Sequence, residues 1–125
     1  MGLVLLDSSF LIALFTENDL HHQSATKADP GPSKLIASTI TLSEVMAGAF
    51  SVRIEKLVEP LLDRLINEFI AVDHAIARES GRIRAESGLK LPDAIISATA
   101  RLCQAQLWTF DAKLAKATPG ARLLV

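Results

Sequence analysis

The sequence predicts an α/β fold, a three-layer α/β/α sandwich on a parallel sheet of about five strands. Three observations lead there. Short apolar runs recur that are too brief for helices and read as strands. The segments between them carry helical spacing or helix caps. Strands and helices alternate from end to end, and unbroken apolar strands of this kind are buried on both faces, as parallel strands covered by helices are. Crossovers in such a sheet are right-handed, and ligands sit beyond the carboxyl ends of strands, where the winding direction reverses.

In chain order, Leu3–Leu6 is the first strand, and Asp7-Ser8-Ser9 supplies cap chemistry for a helix over Phe10–Phe15. Glu17-Asn18-Asp19 closes that helix, and a second short one over His21–Ala28 ends in the turn Asp29-Pro30-Gly31-Pro32. Leu35-Ile36-Ala37 is the second strand. Thr41-Leu42-Ser43-Glu44 has the form of a capping box and starts a helix running through Phe50. Ile54, Leu57, Val58, Leu61, Leu62, Leu65 and Ile66 then recur at spacings of three and four, an amphipathic helix that Pro60 should kink or restart. Phe69–Val72 is the third strand. Asp73 caps a helix from His74 to about Ser87, which Gly88 stops. Pro92 suits the first turn of a helix over Asp93–Ala105. Leu107–Phe110 is the fourth strand, Asp111–Ala117 a short helix, Pro119-Gly120 a turn and Leu123–Val125 the fifth strand.

The 125 residues suffice for one ordinary core and read as a single domain, residues 1–125. There is no internal repeat or low-complexity tract. Half the residues are apolar, few are aromatic, and the net charge is −1, which argues against disorder, a basic DNA-coating protein and an aromatic base-stacking platform. Cys103 is the only cysteine, so intramolecular disulfides and cysteine-rich zinc sites are excluded and a reducing cytoplasm is expected. No apolar run reads as a signal peptide or membrane anchor. Charge is unevenly distributed: residues 1–77 hold five basic and ten acidic groups, residues 78–125 eight and four. A phosphate-bearing partner would prefer the second half.

Four acids stand in apolar surroundings: Asp7 after the first strand, Glu44 in the first turn of its helix, Asp93 after Leu91-Pro92, and Asp111 after the fourth strand. Each could simply cap a helix or favour its positive end, by about 0.3–1 kcal/mol. With strand order 3-2-1-4-5, however, the ends of strands 1 and 4 are neighbours and all four acids meet at one sheet edge. Two carboxylates about 4 Å apart repel by roughly 4 kcal/mol at an effective dielectric near 20, so such a cluster needs a cation. Hard oxygen donors without imidazole or thiolate select Mg²⁺ or Mn²⁺. An ion of that kind could activate water for in-line attack on a phosphodiester. Thr109 and Ser8 or Ser9 could hold metal-bound waters in a second shell.

These pieces, LLDSSFLIALF around Asp7, TLSEVMAG around Glu44, LPDAIISATA around Asp93 and LWTFDAKL around Asp111, resemble in order and spacing the PIN-domain ribonucleases, most closely the small bacterial VapC toxins of toxin–antitoxin pairs. The resemblance covers nearly the whole chain. It implies a Rossmann-like PIN fold, Mg²⁺- or Mn²⁺-dependent endonucleolytic cleavage of RNA, a homodimer, and a cognate VapB-type antitoxin whose C-terminal segment lies across the active site. Carried over by motif, Asp7, Glu44, Asp93 and Asp111 are the catalytic and metal-site acids. Thr109 matches the family's small hydroxyl residue, and Ser9 stands where Ser or Asn is usual. Some relatives place a further acid just after the fourth, whereas Ala112 and Lys113 follow here, which weakens a second metal site.

Other residues read more plainly. His21 and His22 are adjacent, point about 100° apart on a helix and so form no paired ligand face; a solvated helix start is expected. His74 has no partner at metal-ligand spacing. Cys103 and Trp108 read as core residues. Arg78, Arg82, Arg84 and Lys90 form a solvated helix face or line a route for RNA. Exposed apolar residues between Ile54 and Ile66 could meet a partner or second protomer. The phosphate-binding and serine-hydrolase motifs GxGxxG, GxxxxGKS and GxSxG are absent. Two other functions stay open: a housekeeping PIN-domain RNA-processing nuclease, and a non-catalytic α/β domain binding metal or phosphate.

Overall fold

A computed structural model describes residues 2–125. The elements are β1 (Leu3–Leu6), α1 (Ser8–Phe15), α2 (His22–Lys27), β2 (Lys34–Ser38), α3 (Thr39–Ser51), α4 (Glu55–Leu65), β3 (Glu68–Ile70), α5 (His74–Ser87), α6 (Leu91–Cys103), β4 (Gln106–Thr109), α7 (Ala112–Ala117) and β5 (Arg122–Leu123). All strand pairings are parallel, in the order β3-β2-β1-β4-β5. This is the predicted sheet.

Alternation along the central strand explains the three layers. Val4 and Leu6 of β1 face one side, where they join Phe10, Leu11, Val45, Val58, Leu62 and Trp108 under α1–α4. Leu5 faces the other, with Ile36, Ile76, Ile83, Ile96, Leu107 and Leu114 beneath α5–α7. Both faces of β1 are therefore dry, which is why its sequence is an unbroken apolar run.

Several expected boundaries move, each for a local reason. α3 begins two residues before the expected capping box, because Ser38 caps it by accepting from the Ile40 N–H at 3.1 Å. Thr41 is consequently inside the helix and fully buried, so it caps nothing. α4 neither restarts nor ends at Pro60. Pro60 and Lys56, whose carbonyl loses its donor, are both exposed, and water can serve that oxygen. β3 pairs from Glu68, opposite Ile36, and stops at Ile70; the Val72 N–H then goes to the Thr39 hydroxyl at 3.3 Å instead of the ladder. α6 ends at Cys103, with Gln104 in the left-handed region at φ 53°. The cap at Asp73 and the stop at Gly88, φ 71°, are as predicted.

β1 lies at the centre, with β2 on one side and β4 on the other. The chain winds outward in both directions from it, so the crevice beyond the carboxyl end of β1 is the reversal point where α/β sheets place ligands.

Candidate active site

The register that pairs Leu6 with Trp108 carries Asp7 alongside Thr109 at the sheet's carboxyl edge. Asp7 is 4% exposed. Its Oδ1 accepts from the Phe10 N–H at 2.9 Å, capping α1, and from Ser9 Oγ at 2.8 Å, while its Oδ2 accepts from Thr109 Oγ1. Ser9 Oγ in turn accepts from the Phe110 N–H at 3.3 Å, and Thr109 Oγ1 from the Asp111 N–H at 3.0 Å. Two hydroxyls thus tie the β1–α1 turn to the β4–α7 turn through one carboxylate. Both give their protons to Asp7, so they orient that carboxylate, and each oxygen keeps a second lone pair able to accept from water.

Asp111 lies two residues past β4 and caps α7, accepting from the Leu114 N–H at 3.0 Å. Asp93 sits in the first turn of α6, half-buried. Glu44 departs from expectation: it is the sixth residue of α3 and exposed, not in the first turn. It reaches the site because Ser8, at the start of α1, donates to its Oε1 at 2.5 Å. Ser8 therefore anchors Glu44, a role that adjacency to Asp7 did not reveal, because the contact joins two helices, α1 and α3, that are distant in sequence.

Capping accounts for Asp7 and Asp111 in part, yet the electrostatics go beyond capping. Burial pushes the Asp7 carboxyl above its usual range against the pull of the hydrogen bonds from Thr109, Phe10 and Ser9, and the charge of Asp93 adds to the rise. Asp93 is raised by its own burial and then by Asp111 and Glu44, with Lys90 and Lys113 opposing. Asp93 thus feels Asp111 and Glu44, and Asp7 feels Asp93. Among the described residues the ion pairs are those of Arg82 with Glu79 and Glu86, and none reaches these four acids. Nor do three or more His, Cys, Asp or Glu side chains among the described residues form a ready-made metal cage. The arrangement is an open, all-oxygen, acid-rich crevice.

Around it, His21 and His22 are half-buried rather than solvated. The His21 ring stacks on Phe110 with centroids 4.3 Å apart, and His22 Nδ1 lies 2.8 Å from the Ala13 carbonyl oxygen. Phe110 stacks in turn on Phe10. Trp108 is buried as expected, its indole N–H donating to Gln106 Oε1 at 2.9 Å. No helix among the described residues is long and apolar enough to cross a membrane.

Comparison with solved structures returns chains of the same fold, matched over nearly the whole of this chain. One, in a toxin–antitoxin complex from Klebsiella pneumoniae, is 35% identical over 95% of both chains, with a TM-score of 0.80. VapC20 from Mycobacterium tuberculosis, a sarcin–ricin loop cleaving toxin, is 19% identical over 95% of this chain and 98% of its own, with a TM-score of 0.79. A chain of DNA-bound VapBC from Salmonella typhimurium is 23% identical over 98% and 97%, with a TM-score of 0.76. The last two bear on the fold alone. No curated protein sequence matches. The family model of the PIN domain matches residues 4–118, a span that holds all four acids and both orienting hydroxyls, and the chain belongs to the PIN-domain family.

Proposed function

We propose that this PIN-domain protein is an endoribonuclease dependent on Mg²⁺ or Mn²⁺ and the toxin of a toxin–antitoxin pair. One observation carries the reading: at the reversal point of the sheet Asp93 lies within electrostatic reach of Asp7, Asp111 and Glu44, and Asp7 is buried and hydrogen-bonded by neutral donors, with no ion pair to any of the four among the described residues. Such a cluster is unfavourable unless a cation joins it. The all-carboxylate donor set suits a hard, partly hydrated ion held by one or two of these oxygens and by water.

Asp7, Asp93 and Asp111, with Glu44, would hold the ion. When bound, it would supply an activated water and neutralise charge developing on a phosphodiester. The chain's own groups set the geometry. Thr109 and Ser9 fix the Asp7 carboxylate, Ser8 holds Glu44 over the crevice, and the buried strand end keeps bulk water from Asp7. Purified protein should cut a structured RNA when Mn²⁺ or Mg²⁺ is added and stop with chelator. Mapping RNA ends in cells expressing wild type or Asp7→Ala should show ends unique to the wild type, and identical ends would sink the assignment.

The partner follows from the surface beside Glu44. Ile12, Val52 and Ile54 are exposed there and, with Glu44, line a groove of about 220 Å³ between α1, α3 and α4. An apolar antitoxin segment lying in it would end at the acids and block them, and the likeness to a chain of a toxin–antitoxin complex from Klebsiella pneumoniae supports a partner of that kind. Co-expression with the product of a short adjacent gene should yield a stable, inactive complex. Absence of any such gene, with cleavage intact, would favour housekeeping RNA processing. The chain is also expected to form a homodimer, which light scattering after size exclusion decides.

A further inference from the structure

A second cleft opens between the α5–α6 loop and α7, lined by Ser87, Leu89, Lys113, Lys116 and Ala117, with a volume of about 370 Å³. Leu89 is its buried floor, and no acid lines it. Lys113 spans it, Nζ donating to the Gly88 carbonyl at 3.3 Å. Each wall leads into the acidic crevice. On one side Lys90 stands just before α6, whose first turn holds Asp93; on the other Asp111 caps α7, whose first turn holds Lys113. Arg84 reaches the same loop, Nη1 donating to the Leu89 carbonyl at 3.4 Å. Among the described residues, none of Arg84, Lys90, Lys113 and Lys116 has an ion-pair partner, whereas Arg82 is held between two glutamates and faces elsewhere.

We propose that this cleft binds the phosphate backbone of the RNA on one flank of the cleavage site, with Lys113 and Lys116 as its phosphate contacts and Lys90 and Arg84 extending the track. The proposal rests on the ribonuclease reading above. Four carboxylates repel the polyanion they act on, and an unpaired cationic wall that continues into Asp93 and Asp111 offsets that repulsion where the strand must enter. Lysine ammonium groups act as point charges on phosphates without reading bases. The cleft offers no aromatic platform, so it sets register along the strand rather than sequence. Lys113 also gives meaning to the position two residues after Asp111, where a cation stands instead of a further acid.

The test uses the full chain in chelator, so that binding is read without cleavage. Fluorescence anisotropy follows a labelled twelve-nucleotide single-stranded RNA across a salt series. Lys113→Ala/Lys116→Ala should weaken binding by about tenfold at low salt. It should also flatten the slope of log affinity against log salt by about 1.4, the value for two lost phosphate contacts on a single strand. Lys113→Arg/Lys116→Arg should restore the slope, and a circular dichroism melt matching wild type excludes a folding defect. Unchanged affinity and slope, or no binding by the wild type at low salt, would overturn the proposal. So would intact RNA binding with a lost antitoxin complex, which would assign the cleft to an acidic protein segment. Failure of the wild type to cut RNA with Mn²⁺ would instead remove the ribonuclease reading, while the metal-free binding series still reports on the cleft.

Discussion

On the outer face of α5, Arg82 lies between Glu79 and Glu86 at spacings of three and four, with the Glu86 contact at 2.9 Å. At the carboxyl edge of the sheet, Asp7, Glu44, Asp93 and Asp111 come from four different parts of the chain and, among the described residues, none has an ion-pair partner. The helix face satisfies its charges locally and in water, where each pair contributes little. The sheet edge gathers charge of one sign, and two of its carboxyls are raised above their usual range. Acids that a helix could have paired are structural decoration; acids that the fold assembles against their own repulsion point to a ligand.

That contrast can be broken by substitution, most strongly at the sheet edge. Asp7→Ala or Asp93→Asn should reduce Mn²⁺-dependent RNA cleavage by more than about 100-fold, since even residues behind metal ligands are worth 10–100-fold. Full activity in a gel assay with folded Asp93→Asn would end the site assignment. Thr109→Val removes one donor from Asp7 and the acceptor of the Asp111 N–H. It should cost about 1–3 kcal/mol in urea unfolding and lower cleavage by roughly tenfold or more, with Thr109→Ser recovering most of both.

A smaller effect has a definite sign. Folding raises the Asp93 carboxyl above its ordinary value of 3.8. Its contribution is therefore favourable below that value and is lost as pH climbs through the raised folded value. Metal-free wild type and Asp93→Asn should melt together in acid and diverge toward neutral pH, with the variant more stable by about 3 °C. Mn²⁺ should then raise the melting temperature of wild type more than that of the variant; a variant less stable than metal-free wild type at neutral pH would contradict the repulsion. Glu86→Gln, on α5, should leave both melting and cleavage unchanged. A clear loss there would erase the distinction between the two regions.

Much of the fold was legible because its signals are local. Leu3–Leu6 had to be a doubly buried strand, and Asp73, Gly88 and Pro92 mark helix ends through backbone chemistry that needs no distant partner. Capping failed at Thr41 because Ser38, the last residue of β2, offered an earlier cap, and the choice between two adequate caps depends on where β2 ends in the sheet. Pro60 failed as a breaker because its lost hydrogen bond faces water. Glu44 was identified by residue type and motif, yet its route to the site through Ser8 crosses from α3 to α1 and leaves no trace in spacing.

The sequence by itself determined the alternation of strands and helices, the parallel sheet and the four acids worth suspecting, because apolar period, cap residues and carboxylates among apolar neighbours are properties of short segments. Only the tertiary structure decided what those acids do to one another. Asp7 meets Thr109 because β1 and β4 pair in one register, and a slip of one residue would turn one of the two side chains to the other face. The same register settled that Ser9 and Thr109 orient a carboxylate, and that Lys113 and Lys116 line a cleft leading to the acids while Arg82 is neutralised on a helix face. Charge is written residue by residue; the field that charges make together exists only once the strands are aligned.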